Sequence, residues 1–221
     1  MARATFPSLS DAGSTGQAPS ASASQGPRYH LVKRGMDLLG AGIGLVISLP
    51  IIAACALWIL LTDGRPVLYS QWRVGREGWM FRIYKLRTMR RRAEAHGDAQ
   101  FAAYHDPRIL RGGGWMRRTH VDELPQLWNI LAGQMSLVGP RPERPEMVEQ
   151  LRRSIPGIDR RLRAQPGLTG LAQVSNGYTN DIAGARRKLT YDLLYLRRRS
   201  LREEFRLILR TIPKLWDRST L

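Results

Sequence analysis

The chain has 221 residues, 43% of them hydrophobic, which is enough for one globular domain with an ordinary core and too little for a second full domain. Thirty-five Lys and Arg against 18 Asp and Glu give a formal net charge of +17, so the expected partners are polyanions: phosphates, nucleic acid or an anionic membrane surface. Cys55 is the only cysteine, which excludes an intramolecular disulfide and a cysteine-ligated metal cluster.

Residues 1–27 are rich in Ser, Ala and Gly, bury too little to offset chain entropy, and are predicted to be a disordered tail. No secretory signal is expected, because the first apolar stretch begins only at Leu38. That stretch, "LLGAGIGLVISLPIIAACALWILL", runs to Leu61 without a charge, and as a straight helix would be about 36 Å long, enough to span a bilayer. A buried core helix of this size would carry a polar stripe, and none is visible. Pro50 lies at its middle, and cations flank both ends: Arg28, Lys33 and Arg34 before it, Arg65, Arg73 and Arg76 after it. Both ends therefore prefer the same membrane side. These features favour a re-entrant helix over residues 28–63, broken at Pro50, with a spanning helix as the alternative.

After this segment, "PVLYSQWRVGREGWMFRIYKLRTM" predicts two short strands around a Gly75–Gly78 turn, with Phe81 and Ile83 alternating against Arg82 and Tyr84. A helix is expected from Arg90 to about Tyr104. "GGG" at 112–114 lacks the ending of a phosphate-binding P-loop and reads as a flexible loop. Prolines at 140, 142, 145, 156 and 166 predict an irregular centre. Two helices close the chain, in "ARRKLTYDLLYLRRRS" and "SLREEFRLILRTIPKLW". In the second, Leu201, Phe205, Ile208, Ile212 and Leu215 share a face, fit either for the membrane surface or for the domain's own core. His30, His96, His105 and His120 have no ligand spacing. Aromatics interleaved with arginine, as in "QWRVGREGWMFRIYK", fit base stacking, but an amphipathic hairpin explains them equally well.

The candidate chemistry lies in "RRTHVDELPQLWNILAG". Leu124, Leu127, Trp128 and Leu131 have helical spacing, Gly133 closes the helix, and Pro125 is tolerated only in a first turn. Asp122 is therefore expected at the N-cap or first turn, ionised by free N–H groups and the helix dipole. Spacing alone favours a simple cap. Arg117 and Arg118 just upstream, and Arg141 held between Pro140 and Pro142, add what phosphoryl chemistry requires: forks for phosphate oxygens, and a carboxylate to attack phosphorus or to bind Mg²⁺. Taken singly, each arginine reads as a solvated charge or a salt-bridge partner.

The series "KRGMDLLGAGIGLVISLP", "YKLRTM", "DPRIL", "DELPQLWNILAGQMSLVGPRPERPE" and "PGLTGLAQV" resembles the bacterial sugar transferases, the monotopic polyprenyl-phosphate phosphoglycosyl transferases. The resemblance covers Lys33 to about Leu215. It implies a mainly α fold with a short β-hairpin, a re-entrant membrane helix broken at a Ser-Pro pair, and a compact cytoplasmic catalytic domain over residues 64–221 with interfacial amphipathic helices. It implies transfer of a sugar-1-phosphate from a UDP-sugar to undecaprenyl phosphate, at the cytoplasmic face of the bacterial inner membrane, as the first membrane step of polysaccharide assembly. It places the nucleophile on Asp122 and Mg²⁺ near Asp122 and Glu123, with proton transfer or positioning as other roles for Glu123. Phosphate binding falls to Arg117 and Arg141, and to Lys85 and Arg87 by motif membership. No nucleic acid is implied, and the oligomeric state, a homodimer included, stays open.

Two departures stand out. Ser48 and Pro50 are separated by Leu49, and Tyr178 stands where the family's Asn-Gly-Arg arginine falls, so that either another arginine, Arg186 or Arg187, fills the role or the donor is held differently. The alternative of another class, a membrane-anchored polyanion binder without catalysis, explains the charge and the apolar segment. It leaves the carboxylate pair among arginines unexplained.

Overall fold

The computed structural model describes residues 25–90, 106–175 and 182–214. The expected tail up to residue 24, the expected helix beyond Arg90, and Tyr178 lie outside them. The last residues of the expected tail are docked: Gln25 donates from Nε2 to the Arg199 carbonyl at 2.7 Å.

Helix α1 runs from Pro27 to Asp63. Pro27 suits the first helical position because its missing N–H has no partner there anyway, and Gly64, at φ 68°, ends the helix by returning its N–H to the Leu60 carbonyl at 3.1 Å. The expected break at Pro50 does not appear: the helix is continuous through it. A proline removes one ladder bond, here the one to the Val46 carbonyl, and the turns on either side keep theirs. Ser48 donates to the Leu45 carbonyl at 3.3 Å, beside the gap.

Lys33, Asp37, Ala41, Ser48, Cys55 and Ile59 are buried at spacings of three or four or their sums, with Leu45 and Ile52 packed between them, so one stripe of α1 faces the domain. The rest is apolar and exposed, including Leu39, Ile43, Val46, Ile47 and Leu61. The helix is long and apolar enough to cross a membrane, and only 17% of its most apolar window is buried, which separates it from a core helix.

Strands β1 (Leu68–Val74) and β2 (Met80–Leu86) form the expected antiparallel hairpin, in register from Leu68 opposite Leu86 to Val74 opposite Met80. Phe81 and Ile83 point inward to pack with Ala41, Leu127, Ile130 and Met135. Leu86 joins Cys55, Ile59, Leu110 and Met116 in a second cluster. The two halves of α1 thus wall two adjoining parts of one core.

The glycine run is not a loop. Gly112 lies in the left-handed region and caps α2 (Gly113–Arg118), and a Cβ on Gly113 would stand 2.5 Å from the Thr88 carbonyl oxygen. Helix α3 (Gln126–Leu131) follows, then β3 (Ser136–Val138), α4 (Pro145–Ser154), β4 (Gly167–Thr169) and α5 (Leu171–Ser175). The proline-rich centre therefore holds a two-stranded parallel sheet, β3 beside β4, and a ten-residue helix opened by Pro145 at its first position. Helices α6 (Ile182–Arg198) and α7 (Leu201–Lys214) bear out the C-terminal reading. On α7 the buried ridge is Glu204 and Leu207, whereas Phe205, Leu209 and Ile212 are exposed. Of the apolar face read as fit for either the membrane surface or the core, Phe205 and Ile212 are exposed and Leu201 and Ile208 half-buried.

A buried polar network ties α1 to this C-terminal pair. Lys33 lies 2.8 Å from Asp37 and 2.9 Å from Glu204, and Tyr29 and Tyr195 each donate to Glu204 at 2.7 Å. Asp37 in turn accepts the Leu137 N–H at 3.0 Å and the Ser136 hydroxyl at 3.1 Å, fixing β3 to α1. Buried charges need such partners, because each left alone would cost several kcal/mol, on the order of 3–5.

Candidate active site

The acidic pair sits on a turn between α2 and α3. His120, at φ 56°, occupies the left-handed region that side chains other than glycine seldom adopt, and it folds the chain into a single 3-10 turn, Val121–Glu123. The Glu123 N–H closes that turn on the His120 carbonyl at 3.0 Å. Pro125 then takes the N-cap of α3 itself. Asp122 therefore lies ahead of the helix, and neither element has a side-chain cap bond. Of the two expected places, the N-cap is taken by the proline, and Asp122 stands in the first turn of the 3-10 helix that leads into α3.

Asn129, wholly buried on α3, holds this turn against the hairpin. Its Oδ1 accepts the Tyr84 N–H at 3.2 Å and its Nδ2 donates to the Arg82 carbonyl at 2.7 Å, pairing backbone groups on the outer edge of β2. Lys85, the next inward residue of β2, thereby reaches the turn. Its Nζ lies 2.6 Å from Glu123 Oε1. From the other side Arg141 meets the same carboxylate, with Nη2 at 2.5 Å from Oε1 and Nη1 at 3.2 Å from Oε2. Sequence separations of 38 and 18 residues are closed at one carboxylate.

The two carboxyls are driven apart in acidity. Burial works against charge on Glu123, yet Arg141 and Lys85 outweigh it and hold the group well below the usual range. Asp122 is 7% exposed and makes no hydrogen bond or ion pair among the described residues. Burial pushes its carboxyl up to about 6, with Glu123 adding to the rise and Lys85, Arg117 and Arg141 opposing it. This reverses the direction expected of a helix-dipole carboxylate. At about 6 the Asp122 carboxyl is still mostly ionised at neutral pH, and more basic than an ordinary aspartate.

Of the residues singled out in the sequence, Asp122, Glu123, Lys85 and Arg141 come together, and half-buried Arg117 adds its field. Arg87 does not join them. Its guanidinium is buried at the end of α1, paired with the Asp63 carboxylate and donating to the Gly64 carbonyl at 2.7 Å. Arg186 holds the Ser154 carbonyl at 3.0 Å, and Lys188 rather than Arg187 adds its charge near Glu143. Three residues were given no role at this site by the sequence. Burial pushes the His120 imidazole down from its ordinary value, with Glu123 opposing and Arg141 and Lys85 adding to the drop, and its Nδ1 is buried without a partner. Arg73 is half-buried on β1, and desolvation, with the Arg141 charge next, brings it down to about 10. Arg161 is buried behind the Arg141 loop. For His120 the Thr-His-Val-Asp run held no signal, because a left-handed backbone is not legible without glycine.

Among the described residues no three His, Cys, Asp or Glu side chains stand close enough to hold a metal ion. Magnesium asks for less: one or two carboxylates, with phosphates and water completing its octahedron. Asp122 offers a carboxylate with no protein partner, and so fits; Glu123 has both oxygens on cations. An ammonium has three donors and a guanidinium five, so sharing Glu123 does not exhaust Lys85 or Arg141.

A buried carboxylate without a protein partner, next to cations gathered on a second carboxylate, is an arrangement suited to holding phosphate oxygens. The chain belongs to the bacterial sugar transferase family, whose model matches residues 28–218. It is 42% identical over 84% of its length to the UDP-N-acetylgalactosamine-undecaprenyl-phosphate N-acetylgalactosaminephosphotransferase of Aeromonas hydrophila, covering 44% of that protein. It is 40% identical over 84% of its length to the UDP-glucose:undecaprenyl-phosphate glucose-1-phosphate transferase of Caulobacter vibrioides, covering 70% of it. A galactosyl transferase of Streptococcus agalactiae is 39% identical over 83% of the chain, which covers 42% of that relative. The chain thus spans less than half of two of these three proteins.

Proposed function

We propose that this chain transfers a sugar-1-phosphate from a UDP-sugar to undecaprenyl phosphate through a covalent intermediate on Asp122. The observation that carries the reading is the Asp122 carboxylate, buried, without a protein partner, and raised to about 6 beside a clamped Glu123. An oxygen of Asp122 attacks the β-phosphorus of the donor. The bond from that phosphorus to the bridging oxygen breaks, UMP leaves with the electron pair, and a phosphosugar-aspartyl ester remains. A phosphate oxygen of undecaprenyl phosphate then attacks the same phosphorus, returning the carboxylate and forming the lipid-linked diphosphate sugar. Splitting the transfer in two gives ping-pong kinetics.

Lys85, Arg117 and Arg141 bind the donor's phosphate oxygens, and Glu123 orients Lys85 and Arg141 rather than moving a proton, since its carboxylate resists protonation. Mg²⁺, held by Asp122 and the donor's diphosphate, would neutralise charge on the leaving UMP. The sugar is a hexose or N-acetylhexosamine, the range named among the relatives.

We place α1 in the cytoplasmic leaflet of the inner membrane, with both ends on the cytoplasmic side. Two contacts support this. Arg34 in its first half donates to the Ile130 and Leu131 carbonyls at 2.7 and 2.9 Å, and Trp58 in its second half donates to the Arg111 carbonyl at 2.9 Å. A helix crossing the bilayer would carry one of those halves away from the domain.

The test is UMP release over a panel of UDP-sugars in membranes supplied with undecaprenyl phosphate, with Mg²⁺ and with chelator. Asp122→Asn is expected to abolish release. Preserved turnover in that variant would sink the nucleophile assignment, and no release from any donor by the native chain would favour a non-catalytic polyanion binder.

A further inference from the structure

Arg141 reaches Glu123 from a loop, so its aim depends on what holds that loop. Two arginines, buried Arg161 and half-buried Arg73, hold successive carbonyls of this corner. Arg161 Nη2 donates to the Arg141 carbonyl at 2.8 Å, and Arg73 Nη1 donates to the Pro142 carbonyl at 3.2 Å. Arg161 is itself anchored: its Nε stands 2.8 Å from Asp192 Oδ2 on α6, and its Nη1 stands 3.5 Å from Glu143. The side chains of Arg161 and Asp192 are only 7% and 3% exposed. One turn further along α6, the Tyr195 hydroxyl, whose single proton is shared with Glu204, stands 3.1 Å from the Val138 carbonyl. Helix α6 therefore grips the chain both before and after Arg141.

A buried Arg-Asp pair is a poor device for stability alone, because two well-packed apolar side chains usually do as well or better. What apolar side chains cannot supply is a directed bond to the Arg141 carbonyl. We propose that Arg161, anchored by Asp192, is a positioning residue that sets the reach of Arg141 toward the donor's phosphates. The inference rests on the reading of Arg141 as a phosphate-binding residue.

Two sets of variants of the full chain in lipid test it. Arg161→Met with Asp192→Leu removes both buried charges together, and Arg161→Lys keeps the charge but lacks the fork that spans Asp192, Glu143 and the carbonyl at once. The expected result is an unfolding midpoint close to native for the double variant, a KM for the UDP-sugar raised on the order of tenfold, and an unchanged KM for undecaprenyl phosphate. Adding Arg141→Gln to either variant is expected to bring little further loss beyond Arg141→Gln alone, the non-additivity of residues acting through one another. Native donor kinetics in a folded double variant, or losses that simply add to those of Arg141→Gln, would overturn the positioning role while leaving Arg141 its own. If Arg141→Gln alone has native donor kinetics, the phosphate-binding reading falls and the inference falls with it. Should the double variant unfold, Arg161→Lys decides by the same two readouts.

Discussion

Asp122 and Glu123 are neighbours in one turn and yet titrate in opposite directions, because the cations reach one and not the other. Lys85 and Arg141 close on Glu123, and burial is left to dominate Asp122. If Asp122 must be charged to attack, kcat/KM for the donor, which reports the free enzyme, is expected to fall tenfold per pH unit below an apparent pKa of about 6. A limb near 4 in the pH profile would show that the site does not desolvate the nucleophile. Stability carries the same shift. The folded carboxyl titrates near 6 and the unfolded one near 3.9, so between those values the folded state keeps a proton that the unfolded state has lost, and stability falls as pH rises through the window. Above it the buried charge costs on the order of 3 kcal/mol. Asp122→Asn is thus expected to raise the unfolding midpoint of the detergent-solubilised protein at pH 8, with the gain shrinking toward pH 5; an equal gain at both pH values would refute the desolvation account. The pair itself and Pro125 were legible as residues, whereas the direction of the Asp122 shift was not, since burial is decided by neighbours far away in sequence.

At the scale of elements, the β3–β4 pairing depends on glycine more than any other contact. A Cβ on Gly167 would lie 2.0 Å from the Gly139 nitrogen, and one on Gly139 would lie 2.2 Å from the Gln165 carbonyl oxygen. Both obstacles are backbone and cannot turn aside. Gly167→Ala is expected to cost more than about 3 kcal/mol and to misplace the loop to Arg141, whereas Gly42→Ala, with nothing within 4 Å of the added carbon, is expected to be neutral or slightly stabilising. Thermal unfolding of the two variants side by side checks this. Arg87 gives a second element-level test, because it anchors the end of α1 instead of lining the site. Arg87→Met is expected to lower stability by about 3 kcal/mol while leaving the donor KM near native; a selective rise in donor KM would restore Arg87 to the phosphate-binding set. Helix α1, the hairpin, α6 and α7 were visible as periodic stretches closed by glycine or proline. The short β3, β4 and α2 were not, since two- or three-residue pairings and a six-residue helix carry no period to read.

For the whole molecule, α1 is the wall of the core and the one helix among the described residues long and apolar enough to cross a membrane. One stripe packs on Phe81, Ile83 and Leu127 and then on Leu86 and Leu110, while the rest of its surface is apolar and exposed. With both halves on the same domain, its two ends are expected on one side of the membrane. Single cysteines at Arg28 and Arg76, both exposed, in a Cys55→Ser background should label together in inverted vesicles and neither in intact cells; labelling of Arg28→Cys from outside would sink the re-entrant placement.

The amino-acid sequence by itself determined a long apolar helix with cations at both ends, a hairpin, two amphipathic C-terminal helices, and an acidic pair pinned ahead of a proline, because each depends on residues within a few positions of one another. Only the tertiary structure decided which cations meet which carboxylate, that Arg87 serves the helix end, that α1 runs unbroken through Pro50, and that Asp122 is left without a protein partner. Those outcomes depend on contacts between residues as far apart as Lys85 and Glu123 or Arg161 and Asp192, and on the low dielectric that packing creates around them.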